Sequence, residues 1–330
     1  MYNKMRNILV IGGGGYVGSE LVPELLNKNY KVSVYDLFIY GKNVLEENKN
    51  LNLIEGDIRD INKLKSVIKN IDIVIHLACI SNDPSFELNP DLGKSINLDC
   101  FRPLVEMCKT NNVKRFIYAS SSSVYGIKKE KNVSEDLSLE PLTDYSKFKV
   151  ECEKILLEYK DDKFETVIIR PATVCGYSKR QRLDVVVNIL TNLAFNKRKI
   201  KIFGGDQLRP NIHIKDMVRV YLNLIEAKSE LVNGEIFNAG YDNMKVKEIA
   251  NVVKKVVGDD VEIDREETND NRSYHISSEK IKKIIKFEPM FTIEDAVKDL
   301  KFAFENKKLP GSLENSIYFN IKKMQELELK

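Results

Sequence analysis

Ile8-Leu9-Val10-Ile11-Gly12-Gly13-Gly14-Gly15-Tyr16-Val17-Gly18 is the stretch on which the fold turns. Four apolar residues in unbroken succession read as a strand buried on both faces, and such strands belong to parallel sheets covered by helices. Gly12, Gly15 and Gly18 then fit G-x-x-G-x-x-G, and a helical pattern follows them. A tight turn, a backbone left bare toward a phosphate and close helix-sheet packing each call for glycine, and the helix N-terminus supplies an anion site. Asp36 stands 18 residues beyond Gly18, at the end of Val32-Ser33-Val34-Tyr35. A carboxylate there accepts hydrogen bonds from a ribose diol and repels a 2′-phosphate. The run therefore predicts a dinucleotide site built from Gly12, Gly15, Tyr16, Val17, Gly18 and Asp36, with NAD preferred over NADP. Leu37 and Phe38 follow Asp36 with no arginine to pair a phosphate, and Lys42 is the cation nearby in sequence.

Outward from this stretch, short Ile- and Val-rich runs alternate with helical patterns. Strands are predicted near 7–11, 31–36, 51–56, 72–76, 115–120 and 165–170, and helices over 16–28, 60–70, 96–110 and 144–159. The fold class is α/β, a doubly wound Rossmann-type parallel sheet. Beyond residue 176 the pattern loosens. Helices are expected at 183–196, 214–227, 245–257, 277–286 and 293–306, and strands near 199–203, 235–239 and 261–264. A chain of 330 residues is long for one core. Residues 1–176, with 212–240 returning, form the predicted NAD-binding domain, and 177–211 with 241–330 a smaller α+β substrate-binding lobe. The polar tail after Pro310-Gly311 carries no functional signal.

Composition excludes several classes. With 52 basic and 49 acidic side chains the net charge is only +3, and the charges are interspersed, so no nucleic-acid footprint stands out. Cys79, Cys100, Cys108, Cys152 and Cys175 are odd in number and form no C-x-x-C pair, which indicates neither a disulfide framework nor a metal site. The start of the chain lacks a signal-peptide core, and no 18-residue apolar stretch follows. No membrane association and a cytoplasmic location are expected.

A second constellation carries the chemistry. Arg115-Phe116-Ile117-Tyr118-Ala119 runs into Ser120-Ser121-Ser122-Ser123-Val124-Tyr125-Gly126, and Tyr145 comes 24 residues after Ser121 at the head of Tyr145-Ser146-Lys147-Phe148-Lys149. One helical turn puts Tyr145 and Lys149 on the same face. A cation beside a phenol stabilises the phenolate, so the tyrosine can act as a base below its usual value near 10. A strand-end hydroxyl can hold the substrate oxygen as it becomes a ketone. Y-x-x-x-K also occurs at Tyr125/Lys129, Tyr159/Lys163, Tyr241/Lys245 and Tyr318/Lys322. None of those follows a serine-rich strand end and opens a helix.

The glycine motif, Asp36, Gly56-Asp57-Ile58, His76-Leu77-Ala78, Ser-x-x-Val-Tyr-Gly and Tyr145/Lys149 together resemble the extended short-chain dehydrogenase/reductase family. That family includes nucleotide-sugar epimerases, dehydratases, reductases and decarboxylases, and the resemblance covers nearly the whole chain. It implies that Ser121 binds the substrate oxygen, Tyr145 is the base and Lys149 also grips the nicotinamide ribose. Asp57 and Ile58 would flank the adenine, Leu77 and Ala78 would line the cofactor, and Asn97 matches an asparagine of the neighbouring helix. Ile11 departs from a common threonine, and Cys79 from a small residue.

The resemblance extends to the substrate side. Arg209, in Gly204-Gly205-Asp206-Gln207-Leu208-Arg209-Pro210, and Arg272, in Asp270-Asn271-Arg272-Ser273-Tyr274, match segments whose arginines pair a substrate diphosphate. Two guanidinium forks can hold a pyrophosphate bidentately. Thr173 aligns with a sugar- or phosphate-contacting position, and Arg180-Gln181-Arg182-Leu183-Asp184 resembles a bacterial subgroup acting on surface-polysaccharide sugar nucleotides. His76 and His213 read as structural.

The family's dehydratases follow the hydroxyl residue with Asp-Glu, whereas this chain has Ser122 and Ser123, which speaks against 4,6-dehydration. Ser123 also stands where enzymes epimerising beside a ketone often carry cysteine. What remains is hydride transfer alone, expected at C4 of the sugar of a nucleoside-diphosphate sugar. The resemblance favours a redox 4-epimerase, common in the family, though no residue decides it. A 4-dehydrogenase or 4-ketoreductase and, more remotely, a non-catalytic NAD-sensing protein stay open. The family's pairing of the helices after Asn97 and around Tyr145 implies a homodimer.

Overall fold

The computed structural model of the chain describes residues 6–81, 83–268 and 273–329. Strand and helix alternate through the first half as β1 (Asn7–Ile11), α1 (Gly18–Asn27), β2 (Lys31–Asp36), β3 (Leu51–Glu55), α2 (Ile61–Val67) and β4 (Ile73–His76). Then come α3 (Asp83–Glu87), α4 (Pro90–Lys94), α5 (Phe101–Thr110), β5 (Arg115–Ala119), α6 (Asp144–Glu158) and β6 (Glu165–Pro171). The second half holds β7 (Thr173–Cys175), α7 (Val186–Lys197), β8 (Lys199–Phe203), β9 (Leu208–His213), α8 (Ile214–Glu226), α9 (Ser229–Val232) and β10 (Glu235–Ala239). It ends with β11 (Asp242–Lys245), α10 (Val246–Val257), β12 (Glu262–Glu266), α11 (Glu279–Ile285), α12 (Ile293–Glu305) and α13 (Asn320–Leu327).

Seven strands form one sheet in the order β10-β6-β5-β4-β1-β2-β3, and all six pairings are parallel. The unbroken apolar character of β1 has a simple cause. Ile8 and Val10 enter the core on one face of the sheet, while Leu9 and Ile11 enter the core on the other. Chain direction across the sheet reverses between β1 and β4, and a crevice opens outside the carboxyl ends of strands at such a switch point. That crevice is where Gly12 leaves β1.

A separate apolar cluster joins Val187 and Leu190 of α7, Ile200 of β8, Ile249 and Val253 of α10, and Val297 of α12. Two small sheets accompany it, β11-β9-β7 and β12-β8. β7, β9 and β11 are not legible in the sequence because Leu208-Arg209-Pro210-Asn211 has neither alternation nor an apolar run. The helix expected over 96–110 is divided, with a wide π-helical turn at Ser95–Asp99 before α5.

Candidate functional site

The crevice is a cleft of about 640 Å³, within the range of small-molecule sites. Its floor is the glycine loop. Gly12 takes a left-handed backbone (φ +84°), and a Cβ there would run into the backbone N of Ala78. A Cβ on Gly18 would lie 2.5 Å from Gly13 Cα and O, so only glycine lets α1 start against the loop. A Cβ on Gly15 would come within 3.2 Å of Gly12 O. Asp36, at the end of β2, accepts from Gly14 N (2.9 Å) and Phe38 N (2.7 Å). Burial raises its pKa, while those two amides and the charge of Arg180 pull it down. Tyr16 ties the loop to the second half, donating to Gly176 O (2.6 Å) and accepting from Asn188 Nδ2 (3.0 Å).

Val17, Asp57, Ile58, Leu77 and Ala78 line the same cleft. The amides of Leu77 and Ala78 donate to Ile11 O at 2.8 and 3.0 Å, holding the β4 end against the loop. Asp57 pairs with Arg59 at 2.6 Å, and that contact keeps its carboxyl below the usual range. A backbone cradle that a Cβ would fill, backed by a half-buried carboxylate, fits a dinucleotide. Asn97 is the exception among the predicted cofactor residues. It does not line the cleft: its side chain accepts from Ile80 N (2.9 Å) and donates to Ile80 O (3.0 Å), behind the wall. Both ends of the amide are spent on one residue, so Asn97 acts by holding Ile80.

The chemistry-bearing trio lies where β5 meets α6. Thr143 caps α6 by accepting from Ser146 N (3.3 Å), which puts Tyr145 in the first turn. Ser121, one residue past the Ser120 that follows β5, lines the cleft with Tyr145 and accepts from Ser123 N (3.1 Å). Lys149 donates to Ala119 O (2.7 Å) and its Nζ stands 5.7 Å from the Tyr145 ring centre. Burial pushes the Tyr145 pKa well up, with Cys79 and Asp83 acting the same way, whereas Ser121 and the charge of Arg182 pull it down. Ser121 and Arg182 thus favour the phenolate, while Lys149 is anchored to the strand end. Of the five tyrosine–lysine pairs only Tyr145/Lys149 reaches the cleft.

A buried network sets this geometry. Glu153, two turns along α6 from Tyr145, receives Arg170 Nη2 of β6 at 2.7 Å and the hydroxyl of Ser120. Arg170 also donates to Tyr125 OH (2.7 Å), which donates to Asn238 Oδ1 (2.8 Å) of β10. His76 is stacked on Phe101 (5.6 Å) and Tyr118 (5.7 Å), and burial lowers its pKa to about 3. His213 caps α8 by accepting from Lys215 N (3.1 Å).

On the substrate side, Thr173 and Arg209 line the cleft. Arg209 donates to Leu208 O (2.9 Å) and faces the Tyr274 ring at 5.7 Å. Arg272 lies outside the described residues. The cleft also holds residues that sequence reasoning did not place there, among them Tyr40, Cys79, Arg180, Arg182, Asn320 and Met324. The two arginines sat in a noticed motif, but Asn320 and Met324 belong to a polar tail with no signal of its own. All five cysteines are free thiols. Among the described residues, no helix is long and apolar enough to cross a membrane, and no group of three or more His, Cys, Asp or Glu side chains could hold a metal ion.

Residues 8–240 match the model of the NAD dependent epimerase/dehydratase family. The chain is similar to a UDP-glucose 4-epimerase of Lactobacillus helveticus, 28% identical over 77% of this chain and 82% of that one. It is also similar to the dTDP-D-glucose 4,6-dehydratase of Homo sapiens, 30% identical over 84% of this chain and 83% of that one. Among solved structures, a UDP-glucuronic acid 4-epimerase from Bacillus cereus, in complex with UDP-glucuronic acid and NAD, superposes with a TM-score of 0.82. It shares 27% identity over 91% of this chain and 99% of that one.

Proposed function

The chain belongs to the NAD-dependent epimerase/dehydratase family, and from that membership we propose that it is a redox 4-epimerase of a nucleoside-diphosphate sugar. The observation that carries the reading is the convergence of Ser121, Tyr145 and Lys149 on one cleft, with Ser121 lowering the Tyr145 pKa and Lys149 one turn along α6. Beside it stand Ser122 and Ser123, hydroxyls too weakly acidic to protonate a leaving hydroxyl at C6. In this reading Tyr145 takes the proton from the C4 hydroxyl, and Ser121 donates a hydrogen bond to that oxygen as it becomes a carbonyl. Lys149 holds the cofactor ribose and adds positive charge near the phenol. NAD, when bound, supplies the hydride acceptor. Rotation of the 4-ketone within the cleft and return of the hydride to its other face inverts C4, and Tyr145 gives the proton back. Arg209 and Arg272 are assigned to the substrate diphosphate and Thr173 to the sugar side. Residues 1–176 with 212–240 are assigned to the cofactor, and 177–211 with 241–330 to the substrate.

A panel of UDP-, dTDP-, GDP- and CDP-sugars, followed at 340 nm and by NMR of the product sugar, tests this. A C4 epimer with no net change at 340 nm is expected. Stoichiometric NADH would mean a 4-dehydrogenase, and a 4-keto-6-deoxy sugar would mean that the likeness to dehydratases is functional.

We also infer a two-fold pair through α5 and α6, which rests on the helix pairing of the family to which the chain belongs. Phe101, Leu104, Met107 and Cys108 lie in the chain's own core, so such a pair would meet through charged outer faces, as at the Arg102–Glu158 contact of 2.8 Å. Light scattering should give twice the 37.9 kDa of one chain, and a monomer at micromolar concentration would remove the pairing.

A further inference from the structure

The C-terminal segment, silent in the sequence, crosses the rim of the cofactor cleft. Tyr318 O accepts from Leu183 N (2.8 Å), seating the segment on the 180–184 stretch. Asn320, at the start of α13, then joins three separate parts of the wall. Its Oδ1 accepts from Arg180 Nη2 (2.6 Å) and Tyr40 OH (3.0 Å), its Nδ2 donates to Ser81 Oγ (2.8 Å), and its backbone N donates to Asp184 Oδ2 (3.0 Å). Further on, Met324 and Leu329 pack with Ile80, Phe148 and Tyr145. The segment thus runs from the β2 side of the cleft to its catalytic side.

Arg180 is the residue this arrangement holds most tightly. Its backbone sits on the first turn of α1, with Arg180 N donating to Ser19 Oγ (3.3 Å) and Lys179 N to Glu20 Oε1 (3.1 Å). The side chain is 4% exposed. Its guanidinium lies 3.5 Å from the Tyr40 ring centre, and its Nε has no hydrogen-bond partner among the described residues. A buried cation whose backbone sits on the first turn of α1 adds positive charge at the positive end of a helix, and Asp36 and Asp184, which act on it through charge, do not bond its Nε. An anion between the guanidinium and the helix end would satisfy both. A dinucleotide diphosphate carries the charge and the acceptor oxygens to do so.

We propose that residues 316–329 form a strap over the bound dinucleotide, and that Asn320 positions Arg180 against its diphosphate so that NAD is retained between turnovers. Retention suits an epimerase, whose hydride returns to the same sugar. This inference rests on the assignment of the cleft to NAD and does not depend on which sugar is bound.

NADH binding to the full chain tests it by NADH fluorescence, since the protein has no tryptophan to obscure the signal. Dissociation is followed after dilution into excess NAD. Arg180→Gln should release NADH roughly 10- to 100-fold faster, and Asn320→Ala about 3- to 10-fold faster. Tyr40→Phe, which removes only one donor to Asn320, gives a milder variant should Asn320→Ala fold poorly, and a smaller increase is expected from it. Glu230→Ala, exposed on α9 away from the cleft, should release NADH like the unmodified chain. The rise in Tm on adding NAD should shrink in Arg180→Gln and Asn320→Ala, which separates positioning from a general loss of stability. Wild-type release rates in both Arg180→Gln and Asn320→Ala would overturn the strap. Faster release in Arg180→Gln alone would overturn the positioning role of Asn320. Failure of the unmodified chain to bind NADH would instead strike the cofactor assignment itself.

Discussion

Arg170 and Arg180 are ten residues apart and almost equally buried, 2% and 4% exposed, yet their surroundings differ in kind. Every nitrogen of Arg170 that can donate has a protein acceptor. Nε and Nη2 reach Glu153 (3.0 and 2.7 Å), and Nη1 reaches Tyr125 OH. Arg180 gives one hydrogen bond to Asn320 and keeps an unpartnered Nε among the described residues. Burial, helped by the charge of Arg182, lowers the pKa of Arg180 against the pull of Tyr40 and Asp184, whereas the Glu153 carboxylate more than offsets burial at Arg170. Leaving a buried charge incompletely paired is costly. A saturated network therefore marks scaffold, and an incomplete one facing a cleft marks a place for something the chain does not itself contain.

The sharpest way to separate the two regions is to remove the chemistry from the scaffold. Tyr145→Phe keeps the ring and its packing and should lower turnover by about 10²- to 10⁴-fold, the usual share of a general base, with Tm nearly unchanged. Retention of a tenth of normal turnover in a folded variant would show that Tyr145 is not the base. Tyr241→Phe, at an exposed decoy, supplies the control.

Breaking the saturated network should instead break the fold. Glu153→Ala strands Arg170 and the Ser120 hydroxyl, and urea unfolding should register a loss of about 3–5 kcal/mol. A loss under 1 kcal/mol would mean that water replaces the carboxylate and that the network is not scaffold.

Smaller effects are expected on the ligand side. Arg209→Ala should weaken sugar-nucleotide binding by about 1.5–3 kcal/mol, roughly 10- to 150-fold, while NADH affinity stays put. Calorimetry that finds the sugar nucleotide bound as before would take Arg209 out of the diphosphate site. The smallest difference concerns cofactor choice. NADH should bind about tenfold or more tightly than NADPH, because a carboxylate at Asp36 would repel a 2′-phosphate, and Asp36→Ala should narrow that gap. Equal affinities in the unmodified chain would remove Asp36 from this role.

These expectations trace back unevenly to the sequence. β1, the glycine loop, Asp36 and the Tyr145/Lys149 turn were legible because each is a short, local pattern whose spacing has one geometric meaning. The contacts of Asn97 are not legible in the sequence, since a residue's position in a motif does not reveal that its amide bonds Ile80 at both ends. β9 and β11 were illegible because their pairing, not their composition, makes them strands. The downward pull of Arg182 on Tyr145 could not be read from a spacing of 37 residues.

The sequence by itself determined the parallel sheet, the dinucleotide cradle and the Ser-Tyr-Lys order, since these depend on periodicity, on glycine's missing Cβ and on contacts within a few residues. Tertiary structure alone decided that Glu153 saturates Arg170, that Arg180 stays incompletely paired, and that Asn320 closes on both Tyr40 and Ser81. Those outcomes depend on where segments up to 280 residues apart meet. The physical reason is that burial and hydrogen-bond satisfaction are properties of a place in the fold, which no local pattern encodes.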